Sequence, residues 1–341
     1  MSRLLQFTFV ALMLLAWTGC QHPPPTASAP PPAGSPAVFR LEMRPSREER
    51  LIAEIRINGL PAQLALDTGA SERIILFAPS LTRLRLDITR PVSPDPTPVP
   101  GRAQLGVIAP VEVELFGRVF PRTPLPFVAL PLEIPTENLV DGLIGWPAIA
   151  RQLWGFSLGN TPPVAGEIPR VPADLTGWTE FSVAPGTTLS LRFIDAGPMA
   201  PRLIIDTGND DGVLLAPAAW RAWLAAHPNA RRTTHAAVIY GQAIKVHEGA
   251  WADEMNINGL LLRGVPVREA DPAYLRHAAL GEDIIVLGLA ALKRLDLILD
   301  GTTRTAYAKS SATPPPHSQP NRTTVPSPPR AGSSAAPSRS P

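Results

Sequence analysis

The feature that most constrains this chain is a pair of matched landmarks that occurs twice. Asp67-Thr68-Gly69 is repeated as Asp206-Thr207-Gly208, 139 residues later. Each triplet follows an apolar strand, Leu64-Ala65-Leu66 and Leu203-Ile204-Ile205, and precedes a second apolar run, Ile74-Ile75-Leu76 and Val213-Leu214-Leu215. Further on, an apolar pair closed by glycine also recurs, in Asp141-Gly142-Leu143-Ile144-Gly145 and in Ile285-Val286-Leu287-Gly288. From there LIGWPAIARQLWGFSLGN aligns without gaps on VLGLAALKRLDLILDGTT, with Arg151 and Arg294 at the same place. Each copy reads as a short helix followed by a strand. Two landmarks in the same order at nearly the same spacing point to duplication of one half-fold.

Inside each repeat the pattern is mostly β. Leu51, Ala53, Ile55 and Ile57 alternate onto one face, and Asn58-Gly59 is a two-residue hairpin signal ahead of the strand carrying Asp67. Thr188 to Ile194 is the matching strand of the second half. Val111 to Leu115 and Glu254 to Leu262 read as later strands. Pro217 to Ala226 reads as a helix whose apolar stripe holds Trp220, Trp223 and Leu224, as core rather than as a ligand platform. The Pro- and Gly-rich stretch 161–177 is the expected connection between the halves.

The sequence outside the repeats is of another kind. Arg3 followed by the apolar run Leu4 to Ala16 has the form of a secretory signal, too short for a membrane span of about 20 residues. The only cysteine, Cys20, follows Gly19 directly after that run. Residues 21–37 form a proline-rich tether, and 310–341 a Pro/Ser-rich tail expected to be disordered. The two proline stretches hold sixteen of the chain's 42 prolines, so the 38–309 body is less unusual than the total implies. A single cysteine excludes a disulfide scaffold, a Cys-rich zinc site and an iron–sulfur cluster. A net charge of +2 with no Lys/Arg run argues against a nucleic-acid partner. No G-x-S-x-G, H-E-x-x-H, Walker or G-x-G-x-x-G motif occurs. His235 and His247 bracket a hairpin without a third ligand nearby, and the Asp206–Asp211 cluster fails the EF-hand template at Gly208, so no metal or cofactor is expected.

The duplicated motif resembles that of the pepsin and retropepsin-like aspartic peptidase superfamily. Trp17-Thr18-Gly19-Cys20 resembles the bacterial lipobox, departing from it at Trp17, where Leu is usual. The first resemblance implies a mostly β, two-lobed acid-protease fold in one monomeric chain, with pseudo-symmetric lobes at 38–165 and 178–309. It implies an endopeptidase acting on polypeptide, with Asp67 and Asp206 as catalytic carboxylates. Thr68, Gly69, Thr207 and Gly208 would support them, the threonines by bonding across to the other lobe's loop. Two carboxylates about 3 Å apart share one proton, one acting as base toward water and the other as acid toward the carbonyl.

The first motif continues Ala70-Ser71, close to the family pattern. The second continues Asn209-Asp210-Asp211-Gly212, which departs from it. The resemblance makes Ser71 and Asp210 candidate substrate contacts, while Asp211-Gly212 reads equally well as a solvated turn. Family flaps fall here at Pro98 to Leu105 and at Ala236 to Val246, the second with Tyr240 as a candidate substrate contact. The lipobox resemblance implies a signal peptide over 1–20, lipidation at Cys20, and a membrane-anchored protein at the outer membrane facing the periplasm. The competing expectation is a weak or inactive relative, a peptide-binding envelope lipoprotein, since the second motif diverges.

Overall fold

The computed structural model describes residues 37–44, 48–92, 105–129, 140–194, 200–237, 245–272, 275 and 283–311. Cys20, most of the flap candidate Pro98 to Leu105, Tyr240 and nearly all of the tail lie outside these residues.

The chain is mostly β. It runs β1 (Arg40–Met43), β2 (Glu49–Ile57), β3 (Leu60–Asp67), β4 (Ile74–Phe77), α1 (Ala78–Arg83), β5 (Ile88–Arg90), β6 (Leu105–Ile108), β7 (Val111–Leu115), β8 (Arg118–Thr123), β9 (Pro126–Val128), β10 (Gly142–Gly145) and α2 (Trp146–Ile149). It continues with β11 (Leu153–Ser157), β12 (Val164–Glu167), β13 (Thr179–Val183), β14 (Ser190–Phe193), β15 (Arg202–Ile205), β16 (Val213–Leu215) and α3 (Pro217–Ala226). The last elements are β17 (Arg231–Ala237), β18 (Lys245–Ile257), β19 (Leu260–Glu269), β20 (Ile284–Leu287), α4 (Leu289–Leu292), β21 (Leu295–Asp300) and β22 (Thr305–Ser310).

Among the described residues two large sheets result, of ten and twelve strands. The first contains the run β9-β4-β10-β3-β2 and the second the run β19-β16-β20-β15-β14, the same order in both halves. In each, the strand carrying the apolar pair and glycine lies between the two strands that flank D-T-G. β10 runs parallel to β3 and antiparallel to β4, and β20 does the same with β15 and β16. The repeat seen in the sequence is therefore a repeat of strand order.

Local sequence explains the elements. In β2, Leu51, Ala53, Ile55 and Ile57 are buried in the main core, as their alternation predicts. Ile52 is buried too, on the opposite face, in a small cluster with Ala65 and Val140. Asn58 and Gly59 have φ of 47° and 78°, the left-handed pair that a two-residue hairpin turn requires. Asn258 and Gly259, at 48° and 91°, make the same turn between β18 and β19. The span Glu254 to Leu262 is consequently two strands and a turn rather than the single strand expected from its apolar residues. Helix α3 starts with Pro217 in its first turn, where the missing N–H costs nothing. Trp220 is buried, and Trp223, half-buried, stacks on it at 5.8 Å between ring centres.

The halves meet along β11 and β21, which pair antiparallel and belong to the larger sheet. In the gap-free alignment Gly155 and Ile298 occupy the same position, and these two residues are cross-strand partners. The local two-fold relation between the repeats thus passes through this pair. β12, from within 161–177, forms the outer edge of the same sheet and bridges back to Val38.

Trp154 on β11 rivets the sheets. Its ring lies 5.3 Å from Phe39 and 5.6 Å from Phe116, which precede β1 and β8 of the first sheet, and its Nε1–H donates to the Ile149 carbonyl at 3.0 Å. Replacing it with alanine removes a fully buried ring and its cross-sheet contacts. Trp154→Ala should lower stability by about 3–5 kcal/mol in urea unfolding; a loss below about 1 kcal/mol would mean that this contact does not join the sheets.

Candidate functional site

The site is built where β3 and β15 end. Thr68 and Thr207, both buried, bond reciprocally across the halves. The Thr68 N–H donates to Thr207 Oγ1 at 3.1 Å, and the Thr207 N–H donates to Thr68 Oγ1 at 3.1 Å. The Thr68 hydroxyl donates to the Ile205 carbonyl at 2.6 Å, and the Thr207 hydroxyl to the Leu66 carbonyl at 2.9 Å. Each hydroxyl accepts one backbone N–H and gives its only proton to a carbonyl of the other half. Serine would retain these bonds, valine would not.

This brace brings the two preceding carboxyls together. A β-carbon placed on Gly69 would stand 3.0 Å from Asp206 Oδ1 and 3.2 Å from Asp67 Oδ1, so both groups border one small volume. A β-carbon on Gly208 would lie 2.4 Å from Asp67 Cγ. Close approach, not a left-handed backbone, is the reason for glycine at both places. The loop amides also point inward. Gly69 and Ala70 N–H donate to Asp67 Oδ1 at 3.0 and 3.1 Å, and Gly208 N–H donates to Asp206 Oδ1 at 3.1 Å.

The apolar-apolar-glycine strands back these loops. A β-carbon on Gly145 would meet the Glu72 carbonyl oxygen at 1.9 Å, and one on Gly288 the Asp211 carbonyl oxygen at 2.5 Å. Gly145 N–H donates to the Arg73 carbonyl at 2.9 Å, and Gly288 N–H to the Gly212 carbonyl at 2.9 Å. Both glycines are required by contact with the neighbouring backbone.

The electrostatics follow from enclosure. Burial raises the Asp67 carboxyl first, and the adjacent Asp206 charge raises it further, to about 7. The Gly69 and Ala70 amides and the Arg50 guanidinium pull in the opposite direction. The pair consequently retains a proton at pH values where ordinary carboxylates have lost theirs.

Other candidates are placed as follows. Ser71 is exposed, and Asp210 is half-buried, with its negative charge acting on Arg268. Asp211 is not in a solvated turn. It is buried and ion-paired with Arg268 of β19, whose own pKa burial lowers to about 10. Gly212 beside it leaves no room for a side chain, since a β-carbon would lie 2.0 Å from the Pro266 carbonyl oxygen. His235 and His247 face each other in the backbone register of β17 and β18. Among the described residues no group of three His, Cys, Asp or Glu is arranged to hold a metal ion. No helix among them is long and apolar enough to cross a membrane.

Two residues escaped the sequence reading. The Arg268 partnership with Asp211 has no local signal, because β19 reaches the loop only through strand pairing. Arg50 lies near the start of β2, in the same hairpin whose second strand ends in Asp67, a proximity in sequence that the reading did not use.

The threonine brace is open to direct measurement. Thr207→Val leaves the Leu66 carbonyl and the Thr68 N–H without their buried partner and should cost about 2–4 kcal/mol of stability in urea unfolding. Thr207→Ser should cost much less. If valine and serine behave alike, the hydroxyl bonds do not hold the halves together.

Compared with protein-family models the chain matches none, and compared with curated proteins it shows no significant match.

Proposed function

We propose that the chain is an aspartic endopeptidase with a two-lobed acid-protease fold, using Asp67 and Asp206 to hydrolyse peptide bonds. The observation that carries this reading is the reciprocal Thr68–Thr207 brace, which brackets one small volume with two carboxyls. The repeated strand order supports it, because each half supplies one acid from an equivalent loop.

In the singly protonated pair, the ionised carboxylate takes a proton from a water held between the two groups. The water oxygen then attacks the substrate carbonyl carbon. The protonated carboxyl gives its proton to the carbonyl oxygen, forming a tetrahedral diol. Collapse of the diol breaks the C–N bond: the carboxyl that took the water proton gives it to the amide nitrogen, and a diol hydroxyl returns its proton to the other carboxylate, which restores the singly protonated pair. The Gly69, Ala70 and Gly208 amides orient the carboxylates throughout.

Asp67→Asn and Asp206→Asn should each lower kcat/KM on an unstructured polypeptide by about a thousandfold or more, and the double variant should lose little beyond that. A statine-type analogue of the diol should inhibit the wild type. Full activity in Asp206→Asn would overturn the two-carboxylate mechanism. The elevated Asp67 pKa also sets the direction of the pH profile. Activity requires one proton on the pair, so kcat/KM should fall as pH rises through about 7. A rate still climbing at pH 9 would contradict this.

The same reading includes a location. The apolar leader, the Gly19-Cys20 pair and the proline-rich tether support a lipid anchor at Cys20 that holds the peptidase off a bacterial envelope membrane. Gln21 after the cysteine, rather than Asp, favours the outer membrane facing the periplasm. Cys20→Ser should move the protein from the membrane fraction to the soluble fraction. A wild type that fractionates as soluble would remove the anchor from the proposal.

A further inference from the structure

The two carboxyl loops are fastened to their sheets differently. In the second half, Val213 of β16 pairs with Val267 of β19 and Leu214 with Arg268. This parallel pairing brings the 209–212 loop, which leads into β16, down onto β19. Gly212 has no room for a β-carbon against the Pro266 carbonyl, and Arg268 Nη2 reaches the Asp211 carboxylate. In the first half Leu76 pairs with Phe127 as Leu215 pairs with Glu269. The residue before Phe127, in the place of Arg268, is Pro126, and Glu72, in the place of Asp211, is exposed. The ion pair therefore belongs to the second half and is not part of the duplicated scaffold.

A run of short contacts leads from that ion pair to the second carboxyl. The Asp211 N–H donates to Asn209 Oδ1 at 3.0 Å, the Asn209 N–H to the Asp206 carbonyl at 3.2 Å, and the Gly208 N–H to Asp206 Oδ1 at 3.1 Å. From the other side, the Ala290 N–H of α4 donates to the Asp211 carbonyl at 2.9 Å and the Leu289 N–H to the Asn209 carbonyl at 2.7 Å. Both charges are withdrawn from water, with side chains 13% exposed for Arg268 and 8% for Asp211. A buried ion pair is commonly no more stabilising than an apolar pair of the same size, so stability alone does not account for this one. Either charge is costly to leave unpaired, and that cost holds the loop in one position.

We propose that Arg268 is a positioning residue for Asp206, clamping the second loop through Asp211 so that Asp206 and the Gly208 amide keep the geometry that the paired carboxyls require. The proposal rests on the reading of Asp67 and Asp206 as one working pair. Arg268 does not touch the reacting atoms; its effect reaches them through the 209–212 backbone. A displacement of about 1 Å that originates far from the chemistry can cost about a hundredfold in rate. The carboxyl geometry matters in the transition state more than in holding the polypeptide. Loss of the clamp therefore lowers kcat rather than raising KM.

The experiment separates positioning from stability in the full chain. Arg268→Met alone leaves a buried carboxylate without this cation and lowers stability and activity together. Arg268→Met combined with Asp211→Asn removes both charges and keeps an acceptor oxygen at position 211. This double variant should unfold in urea within about 0.5 M of the wild-type midpoint. Its kcat should nevertheless stay about tenfold or more below wild type, with KM within about twofold. The Gly208 and Asp211 amides should exchange with solvent about tenfold faster or more. Arg268→Lys, which can reproduce the Nη2 contact, should keep kcat within about threefold of wild type. Recovery of kcat along with stability in the double variant, or unchanged amide exchange, would overturn the proposal. Should the double variant remain unstable, Arg268→Lys decides: a stably folded lysine variant with kcat as low as that of Arg268→Met would overturn it equally. Faster loop exchange in a chain without peptidase activity would leave the clamp standing and remove the peptidase reading. Activity that requires both aspartates, with wild-type kcat in the double variant, would do the reverse.

Discussion

The rest of the site depends on four hydrogen bonds that two threonines make across the halves. Thr68 and Thr207 each use a buried hydroxyl as acceptor for the other's N–H and as donor to a carbonyl of the opposite half. Neither half can satisfy these groups by itself. A buried Thr hydroxyl, amide or carbonyl left unpaired is costly, so the brace ties the position of one aspartate to the position of the other. The proximity of Asp67 and Asp206 derives from this joint, and burial first, then that proximity, raises the Asp67 pKa.

Two further layers keep the joint rigid. Behind each loop an apolar strand ending in glycine inserts between the flanking strands, and its glycine touches the loop carbonyls with no space for a methyl group. Farther out, β11 pairs with β21 about the Gly155–Ile298 position, and Trp154 packs against Phe39 and Phe116. Backbone contact fixes the loops locally, whereas aromatic packing fixes the halves against each other. The separation has a physical basis: close polar geometry needs short bonds, while a large interface needs buried apolar area.

Symmetry ends at the charged residues. The first loop continues with exposed Ser71 and Glu72, the second with half-buried Asp210 and a buried Asp211 that Arg268 neutralises. Duplication accounts for the common scaffold, and these substitutions distinguish the two acids. A pair of identical carboxyls in identical surroundings would have no preferred holder of the shared proton.

The sequence by itself determined the repeat, the hairpin turns at Asn58-Gly59, the helix over Pro217–Ala226, and the residues that meet at the centre. Those features depend on interactions within a few residues, or on a motif copied intact. The turn at Asn258-Gly259 carries the same local signal as Asn58-Gly59 and was equally legible. Only the tertiary structure decided that Asp211 is buried against Arg268 and that β11 and β12 join the larger sheet. These outcomes depend on which distant strand arrives beside which loop. Strand pairing is set by the packing of whole faces and not by any local signal, and burial of a charge is known only once its neighbours are in place.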